Sequence, residues 1–203
     1  MAIAKFVGSV VYYFCCMAFH WHVTKSTYAW GKEKGGLDLQ PLPDRLHDFF
    51  PPPSLFVKFL TSASVWVPIG HFVWCLCAYG SFLKPLSLLA TSLGTLYALR
   101  ALTFGSTILP DPTQEFKFPK SPIMGATFDL LFSGHMMFTL TFNLVALHQG
   151  WTVSTLSKLG WFAFQILHGL GIIASRHHYT VDVWLSFLIT PTVFWIVRDV
   201  IID

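Results

Sequence analysis

Six apolar segments, each of nearly the length that crosses a bilayer, account for most of this sequence. They lie at residues 3–19, 55–79, 85–109, 130–147, 159–174 and 181–197. A membrane-spanning helix needs about 20 mostly apolar residues, because the hydrocarbon core is about 30 Å thick. Only 11% of the residues are charged, whereas a soluble domain carries about 25%. The sequence therefore predicts an all-α integral membrane protein with six transmembrane helices.

Two long polar connections separate these segments, at residues 24–54 and 110–128. Proline and glycine recur in both, so we expect them outside the hydrocarbon. The other three connections are short, which favours antiparallel neighbouring helices. With six spans, both long connections and the turn at residues 175–180 are expected on one side of the membrane. Because little else remains, we expect a single six-helix membrane domain over residues 1–203.

Charge and cysteine content argue against several other classes of protein. A net charge of +3 with scattered charges is too mild to predict nucleic-acid binding. The four cysteines all fall inside predicted spans, where they are expected to act as small apolar residues. Bulky residues follow the first segment, which favours a span over a signal peptide. Lysine and arginine are more frequent on the membrane side of the long connections than on the other side. The positive-inside rule alone would therefore place the long connections in the cytosol.

Ionisable side chains cluster at the ends of the predicted spans that share one membrane face. His178 and Asp182 are four residues apart, a spacing that brings two side chains together on one face of a helix. A carboxylate at one imidazole nitrogen makes the other nitrogen a better nucleophile. His135 begins the fourth segment at the same membrane face. With Arg100 or Arg176 to balance charge, this set is typical of in-line displacement at phosphorus by one histidine while the other protonates the leaving oxygen.

The remaining histidines have a simpler interpretation. Five of them are expected to be hydrogen-bonding or interfacial residues: His20, His22, His71, His148 and His168. The adjacent His177 and His178 would point about 100° apart on a helix and could not easily share one ion. We therefore expect neither a metal ion nor another cofactor.

Four sequence blocks appear in a recognisable order. They are PLPDRLHDFF from residue 41, LGTLYALRALTFGSTILPDP from residue 93, FDLLFSGHMMFTLTF from residue 128 and HYTVDVWLSFLITPTVFW from residue 178. Together they resemble the motifs of the sphingomyelin synthase family, the branch of the PAP2-like superfamily that moves phosphorylated head groups between lipids. The resemblance implies a PAP2-like core over about residues 93–203. It also implies a site on the lumenal or exoplasmic side of the Golgi, another endomembrane or the plasma membrane.

The resemblance assigns a role to each residue of the predicted catalytic set. His178, activated by Asp182, would attack the phosphorus of a donor phospholipid. His135 would protonate the departing diacylglycerol oxygen and would then act as base on an acceptor hydroxyl. The catalytic residues are thus expected to be His135, His178 and Asp182.

Substrate binding is assigned to four further positions, which are Arg100, Asp129, Ser133 and Tyr179. Arg100 would contact phosphate, and Asp129 would orient His135 or line the pocket. The family usually has Cys-Gly where Thr127 and Phe128 stand, and a threonine where Met136 follows the histidine. These departures leave the choice of head group and acceptor open.

The simplest function implied is transfer of phosphocholine from phosphatidylcholine to the primary hydroxyl of ceramide through a phosphohistidine. Several alternatives stay open at this point: diacylglycerol as acceptor, phosphatidylethanolamine as donor, or phosphatidylinositol as donor with inositol phosphorylceramide as product. A lipid phosphatase or phospholipase C-like hydrolase and a non-catalytic membrane scaffold are alternatives from other classes. The expected partners are membrane lipids and no nucleic acid, and a homodimer is compatible with the sequence.

Overall fold

The computed structural model describes residues 2–34, 39–113 and 130–202, with side chains as far as residue 200. Within these residues the chain forms eight helices. They are α1 (Ala2–Glu33), α2 (Arg45–Phe49), α3 (Leu55–Ser64), α4 (Trp66–Tyr79), α5 (Leu83–Ser106), α6 (Gly134–His148), α7 (Thr155–Ala174) and α8 (Thr180–Ile202).

Five helical stretches in the described part of the chain are long and apolar enough to cross a membrane. They are Ala2–Glu33, Leu55–Tyr79, Leu83–Ser106, Thr155–Ala174 and Thr180–Val200. The second of these combines α3 and α4, which are separated at Val65. The sixth predicted span corresponds to α6, whose 15 residues extend about 22 Å and so fall short of a hydrocarbon core of about 30 Å. The all-helical fold is confirmed with five candidate membrane spans, and the predicted count of six spans is not confirmed.

The late start of α6 follows from the contacts of Leu131 and Ser133. Ser133 is the N-cap of α6, and its hydroxyl accepts a hydrogen bond from the Met136 N–H at 3.4 Å. Leu131 has a φ of +72°, a left-handed conformation that an α-helix of L-residues does not hold. Its N–H is directed to the Asp182 carboxylate instead. The first residues of the predicted span therefore fold onto the start of α8 and do not extend α6.

Helix α1 continues well beyond its predicted end at Phe19, and the prediction of a loop from Thr24 was wrong. The buried residues in the extension recur every three or four positions: His20, Thr24, Thr27 and Gly31. This stripe faces α5, where the His20 ring packs edge-on against Tyr97 and Phe104 at 5.1 and 5.3 Å. The polar content of this stretch indicated a solvent-exposed loop, but three of its polar side chains, His20, Thr24 and Thr27, are buried.

Two glycines of α5 allow α1 and α5 to approach closely in parallel. A Cβ at Gly94 would lie 3.1 Å from the Tyr13 Cα, and a Cβ at Gly105 would lie 2.7 Å from Val23 Cγ1. Small residues permit this approach of backbones between membrane helices. The apolar core lies mainly between α4, α5, α6 and α8, with Phe72, Leu96, Phe132 and Phe194 among its buried side chains.

Both long connections meet the turn between α7 and α8 at one end of the bundle. The Asp44 carboxylate accepts hydrogen bonds from the Thr180 N–H and hydroxyl, each at 2.7 Å. The Tyr179 hydroxyl donates to the Pro110 carbonyl at 2.8 Å. These contacts confirm that the three connections lie together, as the order of the spans predicts.

Replacing Gly94 with leucine is expected to lower the free energy of unfolding by about 1–3 kcal/mol, because the new side chain would push α1 away from α5. The matched control is Gly160→Leu, since nothing lies within 4 Å of a Cβ at Gly160. Thermal unfolding of both variants in one detergent measures the difference. Equal losses in the two variants would contradict close packing of α1 on α5.

Candidate active site

His178 and Asp182 form a buried pair at the start of α8. The Nδ1 atom of His178 lies 3.2 Å from Oδ2 of Asp182, and the two residues are 5% and 0% exposed. His178 precedes the first residue of the helix, so the contact crosses the helix start and does not run along one helix face. Because the carboxylate engages Nδ1, the tautomer with hydrogen on Nδ1 is favoured and Nε2 keeps its lone pair.

The Asp182 carboxylate is held by backbone donors from two segments. Tyr179 N–H donates to Oδ2 at 3.1 Å, and Leu131 N–H donates to Oδ1 at 3.1 Å. A buried carboxylate is stable only when such donors replace its lost hydration. The left-handed backbone at Leu131 therefore has a function, since it turns an N–H toward this charge.

Hydrogen bonds between the heads of α6 and α8 bring His135 near this pair. The Ser133 N–H donates to the Asp182 carbonyl at 3.2 Å, and the Ser186 hydroxyl donates to the Ser133 carbonyl at 3.2 Å. Two residues after Ser133, the His135 ring lies 6.4 Å from the His178 ring, measured between centroids. The predicted catalytic residues thus occupy one site.

Arg100 places a cation beside the start of α6. Its side chain is 5% exposed, and its guanidinium lies directly against the backbone of Gly134. A Cβ at Gly134 would overlap the guanidinium, with Cζ only 2.7 Å away. Glycine is therefore required at this position, next to His135, for Arg100 to occupy its place.

Two other predicted substrate ligands make structural contacts. The Ser133 hydroxyl caps α6, and the Tyr179 hydroxyl donates to the Pro110 carbonyl while it accepts from the Leu42 N–H at 3.0 Å. Their predicted contact with substrate stays a prediction. Asp129 lies outside the described residues.

Two residues of α2 that the sequence analysis did not assign to the site lie against it. Asp44 caps α2 and also binds Thr180 at the start of α8. His47 approaches the His178 carbonyl with Nε2 at 3.0 Å, and its ring stacks on Tyr179 with 5.8 Å between centroids. The only signal for them was the block beginning at residue 41, and no spacing rule connects that block to residue 180.

Asp44 is an anionic group in this arrangement. Burial disfavours its charged form, but the hydrogen bonds from Thr180 and the nearby His47 outweigh burial, so the pKa of the Asp44 carboxyl lies below its usual value. The side chain is therefore ionised at neutral pH. A negative charge at the N-terminus of α8 also interacts favourably with the helix dipole.

The neighbouring histidines make other contacts. His177 is hydrogen-bonded to the Ser175 hydroxyl, and its ring lies 5.4 Å from that of His135. His168 is buried, and its Nδ1 atom lies 2.7 Å from the Ser64 hydroxyl oxygen. Within the described ranges, no group of three or more histidine, cysteine, aspartate or glutamate side chains has the arrangement of a metal site.

Asp182→Asn is expected to lower the free energy of unfolding by about 1–3 kcal/mol, because the amide leaves a buried backbone N–H of Leu131 or Tyr179 facing another donor. Asp199→Asn, at an exposed carboxylate, should change stability by no more than about 0.5 kcal/mol. Thermal unfolding of the two variants at neutral pH tests this difference. If Asp182→Asn lowers the free energy of unfolding no more than Asp199→Asn does, Asp182 is not a buried hydrogen-bond acceptor.

Comparison with known proteins finds one family model and several curated relatives that resemble this chain. Residues 128–199 match the family model described as PAP2 superfamily C-terminal. The chain is 39% identical over 109 residues to phosphatidylinositol:ceramide inositolphosphotransferase 2 of Arabidopsis thaliana. This alignment covers 44% of this chain and 35% of that protein. It is 33% identical over 120 residues to phosphatidylinositol:ceramide inositolphosphotransferase of Oryza sativa subsp. japonica. That alignment covers 48% of this chain and 36% of the relative.

The chain thus spans about a third of the length of the curated relatives it matches. The region matched by the family model contains His135, His178 and Asp182. These matches confirm the expected resemblance to the sphingomyelin synthase-like family.

Proposed function

We propose that this protein is a lipid head-group phosphotransferase that moves phosphoinositol from phosphatidylinositol to the primary hydroxyl of ceramide. The observation that carries the proposal is the buried His178–Asp182 pair with the His135 ring 6.4 Å away. The relatives are named for transfer between phosphatidylinositol and ceramide. Their names change the expected donor from phosphatidylcholine to phosphatidylinositol and leave the chemistry unchanged.

The first step forms a bond between His178 and phosphorus. With Nδ1 held by Asp182, the lone pair of Nε2 attacks the phosphorus of the donor lipid. The bond from phosphorus to the diacylglycerol oxygen breaks, and that oxygen takes a proton from His135, which must carry one when the donor lipid is bound. Diacylglycerol leaves, and the phosphoinositol group remains on His178.

The second step returns the head group to a lipid. His135, now neutral, takes the proton of the ceramide primary hydroxyl, and the hydroxyl oxygen attacks phosphorus. The bond between phosphorus and Nε2 of His178 breaks, and the product leaves with the head group on ceramide. His135 is again protonated and His178 is again neutral, so the enzyme returns to its starting state.

The rings of His135 and His178 lie 6.4 Å apart, measured between centroids. Both can therefore approach one bound phosphoryl group, one ring at phosphorus and the other at the leaving oxygen. Arg100, buried against Gly134, would offset the charge on the phosphoryl oxygens.

A lipid substrate explains why these groups lie at the end of an apolar bundle. The helices expose large apolar side chains along their length, such as Leu167 on α7 and Trp184 and Leu188 on α8. Lipid tails can stay in the hydrocarbon beside them while the phosphate reaches the polar end. We further propose that this end faces the lumenal or exoplasmic side of an endomembrane or of the plasma membrane.

A hydrolase would use the same residues with water in place of ceramide. Purified protein in vesicles with fluorescent ceramide and either phosphatidylinositol or phosphatidylcholine distinguishes these reactions. We expect fluorescent inositol phosphorylceramide from the phosphatidylinositol vesicles. Fluorescent product only from the phosphatidylcholine vesicles would identify phosphatidylcholine as the donor. Release of the head group in the absence of ceramide would indicate a hydrolase.

His178→Ala and Asp182→Asn should each reduce head-group transfer by at least about 100-fold, because one removes the nucleophile and the other removes the group that orients it. The matched control is His148→Ala, at the far end of α6 beside Phe194 and Trp195, which should stay within about threefold of the parental turnover. Turnover is measured per folded protein after size-exclusion chromatography. Near-parental turnover by His178→Ala would rule out the phosphohistidine route.

A further inference from the structure

We propose that Asp44 and His47, here called the α2 clamp, are positioning residues of the transfer reaction that hold His178 in its reactive orientation. This inference rests on the proposed function. Both residues lie in the first long connection, outside the region that matches the family model. Neither is assigned to contact substrate, because His47 binds the His178 carbonyl and Asp44 binds Thr180.

Asp44 joins the starts of two helices through one carboxylate. It caps α2 by accepting from the Leu46 N–H at 3.0 Å, and it accepts from the Thr180 N–H and hydroxyl at 2.7 Å each. Thr180 stands two residues from His178 and two from Asp182. A displacement of this helix start relative to α2 would therefore disturb both members of the buried pair.

His47 fixes the peptide that carries the nucleophile. Its Nε2 lies 3.0 Å from the His178 carbonyl oxygen, and because a carbonyl can only accept, the hydrogen of His47 must lie on Nε2. Arg176 extends from the other side of His178, and its Nη2 donates to the His47 carbonyl at 3.5 Å. The backbone of His178 is thus tied to α2 at its own carbonyl and again two residues earlier.

Tyr179 connects the clamp to both long connections. Its ring stacks on His47, its hydroxyl donates to Pro110, and the same hydroxyl accepts from Leu42. Asp182 orients the His178 ring through a single nitrogen, so the direction from which the ring leaves the backbone depends on these other contacts. A shift of about 1 Å in a reacting group can reduce a rate by about 100-fold.

The test uses two pairs of variants that differ only in the proposed contact. His47→Gln keeps a donor near the position of Nε2, whereas His47→Leu removes it. Thr180→Ser keeps the hydroxyl that binds Asp44, whereas Thr180→Val removes it. We expect the Leu and Val variants to lower kcat by about 10–100-fold with the KM for donor lipid within about threefold, and the Gln and Ser variants to keep kcat within about threefold.

The matched control is Ser154→Ala. Ser154 caps α7 at the opposite end of the bundle by accepting from the Ser157 N–H at 3.1 Å, so the variant loses one side-chain hydrogen bond at a helix start far from His178. Its kcat should stay within about twofold of the parental value. A similar fall in kcat for Ser154→Ala, unchanged kcat for His47→Leu, or a change confined to KM would overturn the proposal.

Amide hydrogen exchange provides a measurement that does not depend on turnover. His47→Leu and Thr180→Val should speed exchange in residues 178–184 relative to the parental chain, and Ser154→Ala should not. If the parental protein transfers no head group, the proposed function fails while exchange still decides whether the clamp exists. Unchanged exchange in both clamp variants would overturn the clamp even in an active protein.

Discussion

The arrangement at the polar end of this bundle depends on a single buried carboxylate. Asp182 is fully removed from solvent, and its charge is stabilised by the Tyr179 N–H, the Leu131 N–H and the His178 ring. Because an uncompensated buried charge costs several kcal/mol, these donors must all be in place when the chain folds. This requirement turns the backbone at Leu131, draws the head of α6 onto α8 and orients His178.

The lipid environment explains why these polar groups lie at one end of the bundle. Helices in a bilayer satisfy their own backbone groups and expose apolar side chains, so polar groups accumulate where helices begin and end. In this protein the heads of α6 and α8, the end of α5 and both long connections meet at one such place. Gly134 allows the Arg100 guanidinium to lie at this place, and Gly94, in the middle of α5, allows the backbone of α1 to pack closely.

Much of this organisation could be predicted from local patterns. Apolar segments of sufficient length indicated five of the membrane spans, and the interval between His178 and Asp182 indicated their contact, since both signals lie within a few turns of chain. The extension of α1 beyond Phe19 was missed because the burial of His20, Thr24 and Thr27 against α5 depends on a helix distant in the sequence. The bonds from Asp44 to Thr180 were missed for the same reason, because they join residues 136 positions apart.

The sequence by itself determined a helical membrane protein with a histidine and carboxylate pair and a resemblance to lipid head-group transferases, because hydrophobic length, short-range spacing and motifs are properties of contiguous residues. Only the tertiary structure decided that α6 begins at Gly134, that Ser133 and Tyr179 bind the chain itself, and that α2 lies against His178. Those features depend on hydrogen bonds between distant segments. Such bonds form only after the helices pack and bury the groups that need partners.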